Sequence, residues 1–211
     1  MNRLKYLLLG ALISAVVCTC AVVPTLSWLS SKSEEVVNTF EGEQVAISID
    51  EGKVDKDGKK TDDPERVSQN SYKFVAGSVL DKDPTPVVVK GSVDSYVFVC
   101  VENENDDIFS LNIDSENWLE IGSQDGKTLY AYKQSVDASA SEEDIRLKPV
   151  FTKVTVSEEV TADRIKEASG KQFIKIQAFA IQKYAIETET AVDQAAEQFG
   201  ISGELNYVDI V

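Results

Sequence analysis

Apolar and polar residues alternate through residues 44–50, with Val45, Ile47 and Ile49 on one side and Gln44, Ala46, Ser48 and Asp50 on the other. A period of two predicts a half-buried strand. Residues 51–69 are charged and carry Asp57-Gly58 and Asp63-Pro64, so a loop is expected there. Residues 71–75 read as a short strand, and residues 76–86 as a loop holding Gly77, Pro84 and Pro86. Two prolines cannot both donate to a central ladder, so a sheet edge is expected at this point. Residues 87–90 form the next predicted strand, broken by Gly91.

Residues 95–102 give the strongest strand signal, being β-branched and aromatic throughout. A run that is apolar on both faces belongs in the middle of a sandwich or beneath a helix. Residues 106–115 fit neither template cleanly. Residues 118–121 and 128–132 flank Gln124-Asp125-Gly126-Lys127, the pattern of a hairpin with an Asp-Gly turn. A polar loop follows over residues 137–144, then a strand over 148–156 opened by Pro149. Thr161 caps a predicted short helix over 161–169 that ends at Gly170. Residues 172–182 predict a long strand with Ile174, Ile176, Ala178 and Ala180 on one face. Ala191, Ala195, Ala196 and Phe199 recur at helical spacing within residues 188–199, and Gly200 supplies the stop. Around eight or nine short strands and one or two short helices predict a mainly β domain over residues 41–211, a jelly-roll-like β-sandwich.

Residues 1–27 follow a different logic. Arg3 and Lys5 precede an apolar run from Leu7 to Val23, and no acid occurs before Glu34. A basic start, an apolar stretch and a small-residue exit describe an N-terminal signal helix for secretion. Thr25-Leu26-Ser27 places cleavage between Ser27 and Trp28, with Thr19-Cys20-Ala21 as a second exit. The run is near the lower end of the roughly 17–25 residues that span a bilayer, so a retained membrane anchor is the alternative. Val17 and Thr19, which precede Cys18 and Cys20, are larger than a lipoprotein signal wants.

Charge sharpens this picture. Residues 28–211 hold all 36 acids and 19 of the 21 Lys and Arg residues, a formal charge of −17. Such a surface repels nucleic acid and anionic lipid. Beyond the export segment Cys100 stands alone, inside the most apolar strand, and reads as a small buried hydrophobe, or else as an intermolecular partner.

The chain contains no His. Nucleophile systems built on Ser-His or Cys-His, and zinc sites with His ligands, are therefore excluded. No Walker loop or dinucleotide-binding glycine motif occurs. Catalytic residues are not expected, and no cofactor is expected apart from Ca²⁺. Asp55 and Asp57, and Asp81 and Asp83, offer alternating oxygens that could hold Ca²⁺, although neither pair has the spacing of an EF-hand. The same residues also read as turn formers. Trp118, Tyr130 and Tyr132 fall on the predicted hairpin. On an exposed face they would stack on a sugar ring; otherwise they are cross-strand pairs or core.

Several blocks together carry a family resemblance. Trp28-Leu29-Ser30-Ser31-Lys32-Ser33-Glu34-Glu35-Val36-Val37-Asn38-Thr39-Phe40 follows the apolar leader, and Tyr72-Lys73-Phe74-Val75-Ala76-Gly77, Lys82-Asp83-Pro84-Thr85, Val89-Lys90-Gly91-Ser92 and Ser95-Tyr96-Val97-Phe98-Val99 follow in order. Residues 150–156 and 176–182 complete the series. The chain resembles the TasA/camelysin (CalY) group of proteins exported through a SipW-type signal peptidase. The resemblance implies a secreted jelly roll that assembles with copies of itself into biofilm-matrix or cell-surface fibres. It also implies that residues 28–40 can be donated as a strand to a neighbour, with Trp28, Val36, Val37 and Phe40 as contacts; the alternatives are a disordered segment or pairing within the same domain. Some members are described as metalloproteases, a role that the absence of His opposes. A monomeric adhesin or carbohydrate-binding module is the other function open to this sequence.

Overall fold

The nine-residue strand Ser95–Asn103 is the centre of the protein in a computed structural model that describes residues 30–32, 45–168, 174–207 and 210. The strands in chain order are β1 (Ser30–Lys32), β2 (Ile47–Gly52), β3 (Arg66–Val67), β4 (Val79–Asp81), β5 (Thr85–Val88) and β6 (Ser95–Asn103). They continue as β7 (Phe109–Ile113), β8 (Trp118–Gln124), β9 (Lys127–Tyr132), β10 (Ile145–Arg146), β11 (Phe151–Val156) and β12 (Ile174–Gln182). Helix α1 (Ala162–Ala168) lies between β11 and β12, and α2 (Thr188–Phe199) follows β12. The described residues form three antiparallel sheets, ordered β1-β12-β6-β9-β8, β10-β5-β2-β3 and β4-β11-β7.

Strand β6 is apolar on both faces because both are covered. Val97, Val99 and Val101 point into a core shared with Ile47 and Val88 of the second sheet and Phe151, Val154 and Val156 of the third. Tyr96, Phe98 and Cys100 point the other way, onto Ala191, Val192, Ala195, Ala196 and Phe199 of α2. The five-stranded sheet is therefore a middle layer between a helix and two smaller sheets. Burying each large apolar side chain in such a core contributes about 1.5–3 kcal/mol. Small alanines let α2 approach the sheet, and Gly200, at φ 69°, ends the helix by donating its N–H back to Glu197.

The hairpin forms as its sequence predicts. Asp125 (φ 52°) and Gly126 (φ 76°) make a two-residue turn between β8 and β9 with both central residues left-handed, which matches the twist of the strands. Thr161 Oγ1 accepts the Arg164 N–H at 3.2 Å and caps α1. Residues 106–115, unassigned by pattern, contain β7.

Two expectations are corrected. Residues 71–75 are not a strand. Tyr72 and Phe74 do face the core, and Phe74 meets Phe109 edge-on at 5.1 Å. The period of two records this one-sided burial without a ladder. The second correction concerns Pro86, which lies inside β5 with β10 on one side and β2 on the other, not at a sheet edge. The prolines serve as acceptors: Val150 N–H donates to Pro84 O at 2.9 Å and Leu147 N–H to Pro86 O at 3.0 Å.

Candidate functional site

The margins of the five-stranded sheet are covered by segments near the two ends of the chain. β1 pairs antiparallel with β12, Ser30 opposite Ile181, Ser31 opposite Ala180 and Lys32 opposite Phe179. At the far margin, Asn206 N–H donates to Ile121 O at 2.7 Å and its side-chain amide reaches Glu120 O at 3.3 Å. An uncovered strand edge is a template for another chain. Here the covering piece on β12 is a three-residue strand that enters from the N-terminal side.

A cleft of about 910 Å³ lies beside the β12 end of this sheet, bordered by Tyr72, Phe74, Phe109 and Ile176 and floored by Glu51 and Lys82. Its floor is polar and enclosed. Glu51 is 4% exposed and pairs with Lys82 Nζ. Asn70 Nδ2 donates to the other Glu51 oxygen at 3.0 Å and to Gly52 O at 2.9 Å, while Asn70 Oδ1 accepts the Val54 N–H at 3.0 Å. The Lys82 ammonium lies 5.8 Å from the centre of the Tyr72 ring, and the Tyr72 hydroxyl donates to Asp81 O at 3.0 Å. Burial, with the negative charges of Glu51 and Asp83, pushes the Tyr72 phenol well above its ordinary value.

A second charged layer continues from this floor. Buried Asp83 accepts the Gly52 N–H at 2.7 Å, Lys60 Nζ at 2.8 Å and Arg66 Nη1 at 3.0 Å. Arg66 also reaches Asp50 through Nε at 2.8 Å. Burial pushes both carboxyls up, but it is outweighed by Arg146 and Arg66 at Asp50, and by Lys60, the Gly52 amide and Arg66 at Asp83. Both acids are held below their usual range. Gly52 is required by close approach, because a Cβ there would lie 2.8 Å from Pro64 Cγ and 3.2 Å from Asp83 Oδ1.

The structure places the three aromatic residues considered as sugar contacts in or against the core. Trp118 is 1% exposed, its indole N–H donates to Lys148 O at 3.2 Å, and its ring packs 5.0 Å from that of Tyr132, its cross-strand partner. Tyr130 is buried, and burial with the nearby Glu120 charge pushes its phenol up to about 12. Tyr132 is half-buried against the core. Trp118 and Tyr130 hold the hairpin to the interior.

The four aspartates proposed for Ca²⁺ are engaged within the chain. Asp55 Oδ1 accepts the backbone N–H groups of Asp57 and Lys59, both at 2.9 Å, which makes it a turn former. Asp57 pairs with Lys56, Asp81 accepts the Lys60 N–H at 3.2 Å, and Asp83 is ion-paired. Among the described residues no group of three or more His, Cys, Asp or Glu residues is placed to hold a metal ion. No helix among them is long and apolar enough to cross a membrane. Residues 1–27, expected to be an export signal, and Trp28, Val36, Val37 and Phe40 lie outside the described residues.

The Glu51–Asn70–Lys82 and Asp50–Arg66–Asp83 groups have no sequence motif. Their members come from β2, β3 and the connections around β4, and only folding brings them together. No family model, curated protein or solved structure is matched by the chain.

Proposed function

We propose that the protein is an exported, non-catalytic structural component of an extracellular matrix or cell surface that associates with copies of itself, as the resemblance to the TasA/camelysin group implies. The observation that carries this reading is the antiparallel pairing of Ser30–Lys32 with β12. A strand that covers a sheet edge satisfies the same backbone groups whichever chain supplies it. Exchange of that strand between copies therefore loses few bonds and propagates head to tail. The facing layers around β6 fit a jelly roll, and the leader over residues 1–27 fits release by a SipW-type signal peptidase followed by residence outside the cell. The absence of His weighs against the peptidase alternative, and the burial of Trp118 and Tyr130 weighs against a sugar-binding module. The test is removal of residues 28–37 from purified protein. Concentration-dependent sedimentation and fibres that vanish in the truncated form support the reading; unchanged fibres, or a monomer at every concentration before truncation, overturn it.

A further inference from the structure

Three side chains on the cleft floor form a chemical set. Lys82 supplies an amine, Asn70 a carboxamide, and Glu51 a carboxyl group that touches both, one oxygen on each. The Glu51 side chain is 5% exposed and that of Lys82 13%. The orientation of the Asn70 amide is fixed by its backbone partners. Val54 N–H can only donate, so the atom facing it is Oδ1; Gly52 O can only accept, so the atom facing it is Nδ2. The carbonyl of Asn70 is thus polarised by a backbone donor, and its nitrogen rests on the carboxyl group of Glu51.

We propose that Lys82 and Asn70 become joined by an intramolecular isopeptide bond, with Glu51 as the proton carrier. Passing one proton from Nζ to Glu51 Oε2 converts the ion pair into a free amine and a carboxylic acid. The Nζ lone pair then attacks Asn70 Cγ, and the Val54 N–H steadies the charge that develops on Oδ1. As the Cγ–Nδ2 bond breaks, Glu51 returns its proton to the departing nitrogen and takes a second proton from Nζ, which the ammonia carries away as ammonium. One alkylammonium and one primary carboxamide become one secondary amide and one ammonium ion, with no oxidant, reductant or cofactor. Glu51 ends as it began, hydrogen-bonded to the new amide. Nucleophile and leaving group share a single carboxyl group, which holds the two side chains beside each other. The bond would tie the connection before β4 to the residue after it, closing a loop whose exposed Val75 and Gly77 sit at the surface. It would form in an isolated chain and does not depend on self-association.

The experiment is tandem mass spectrometry of a tryptic digest of the purified full chain. The expected product joins peptide 67–73 to peptide 74–90, uncleaved after Lys82 and lighter than the two peptides together by one ammonia. Glu51→Gln keeps the shape but cannot shuttle the proton, and Lys82→Arg keeps the charge but removes the amine; both are expected to give separate peptides of full mass. Separate full-mass peptides from the wild-type protein overturn the proposal on their own, whether or not the variants fold. Loss of ammonia that persists in Lys82→Arg also overturns it, because the loss then arises elsewhere.

Discussion

Arg146 donates two parallel hydrogen bonds to Asp50, Nη1 to Oδ1 at 2.5 Å and Nη2 to Oδ2 at 2.9 Å, although 96 residues separate them. Strand β10 has only two residues, so its backbone pairing with β5 gives it little hold. The guanidinium reaches across β5 to β2 and fastens it. Asp50 passes the connection to Arg66, and Arg66 to buried Asp83. One chain of opposite charges thus holds β2, β3 and β10 in register.

Stability is expected to fall in acid because of this chain. The folded-state pKa values of Asp50 and Asp83 are depressed below 3.8. A depressed carboxylate contributes stability that is present above its unfolded value and is lost as pH falls through the folded one. Urea midpoints should be flat near neutrality and drop between about pH 5 and about pH 2. Asp83→Asn should cost about 3 kcal/mol at pH 7, because Lys60 and Arg66 lose a buried partner, and should flatten the acid limb. Equal acid limbs in the two proteins would remove Asp83 from this account.

Trp118 offers a direct check on the hairpin. Its ring is enclosed and its N–H is satisfied by Lys148 O. In a Trp28→Phe background its emission should be blue-shifted and poorly quenched by acrylamide, and oligosaccharides should leave it unchanged. Trp118→Ala should cost about 3–5 kcal/mol. Saturable quenching by a sugar would return this residue to a binding role.

The pattern of residues identified the elements whose burial is local in origin. β6 carried its central place in an apolar run on both faces, the hairpin in Asp125-Gly126, and α2 in its alanine spacing and Gly200. Residues 71–75 misled because alternation reports which side chains are buried, not whether the backbone finds a partner. Pro86 misled because a strand can be paired on both sides while one residue only accepts. The charged floor of the cleft was invisible for a different reason. Glu51, Asn70 and Lys82 each sit in a stretch that reads as solvated loop or strand end, and their meaning exists only in their contact.

The small residues of α2 are expected to be a packing limit, not a preference for helix. Ala191 and Ala195 are fully enclosed between the helix and the sheet. Ala195→Leu adds volume where none is free and should cost about 1–3 kcal/mol, although leucine is also a good helix former. Ala185→Gly makes a contrast on the preceding turn, where φ is 60°. Relief of that left-handed strain should leave stability unchanged or raise it by up to about 1 kcal/mol. Thermal melts of the two variants separate helix propensity from close packing; a neutral Ala195→Leu would show space that the contact between α2 and β6 does not contain.

Self-association is expected to depend on one margin of the five-stranded sheet and not the other. Ser31 lies in β1 opposite Ala180. A proline there removes a backbone donor and its ring disfavours an extended ladder, whichever copy supplies the strand. Ser31→Pro should therefore lower the sedimentation coefficient of concentrated protein toward that of the monomer while leaving the circular dichroism spectrum β-rich. At the opposite margin, Asn206→Ala removes one side-chain hydrogen bond to Glu120 O and keeps the backbone bond to Ile121. It should sediment like the unmodified protein. Should Asn206→Ala dissociate the assembly while Ser31→Pro leaves it intact, the contact between copies would lie on β8, and the strand supplied by residues 30–32 would serve only its own domain.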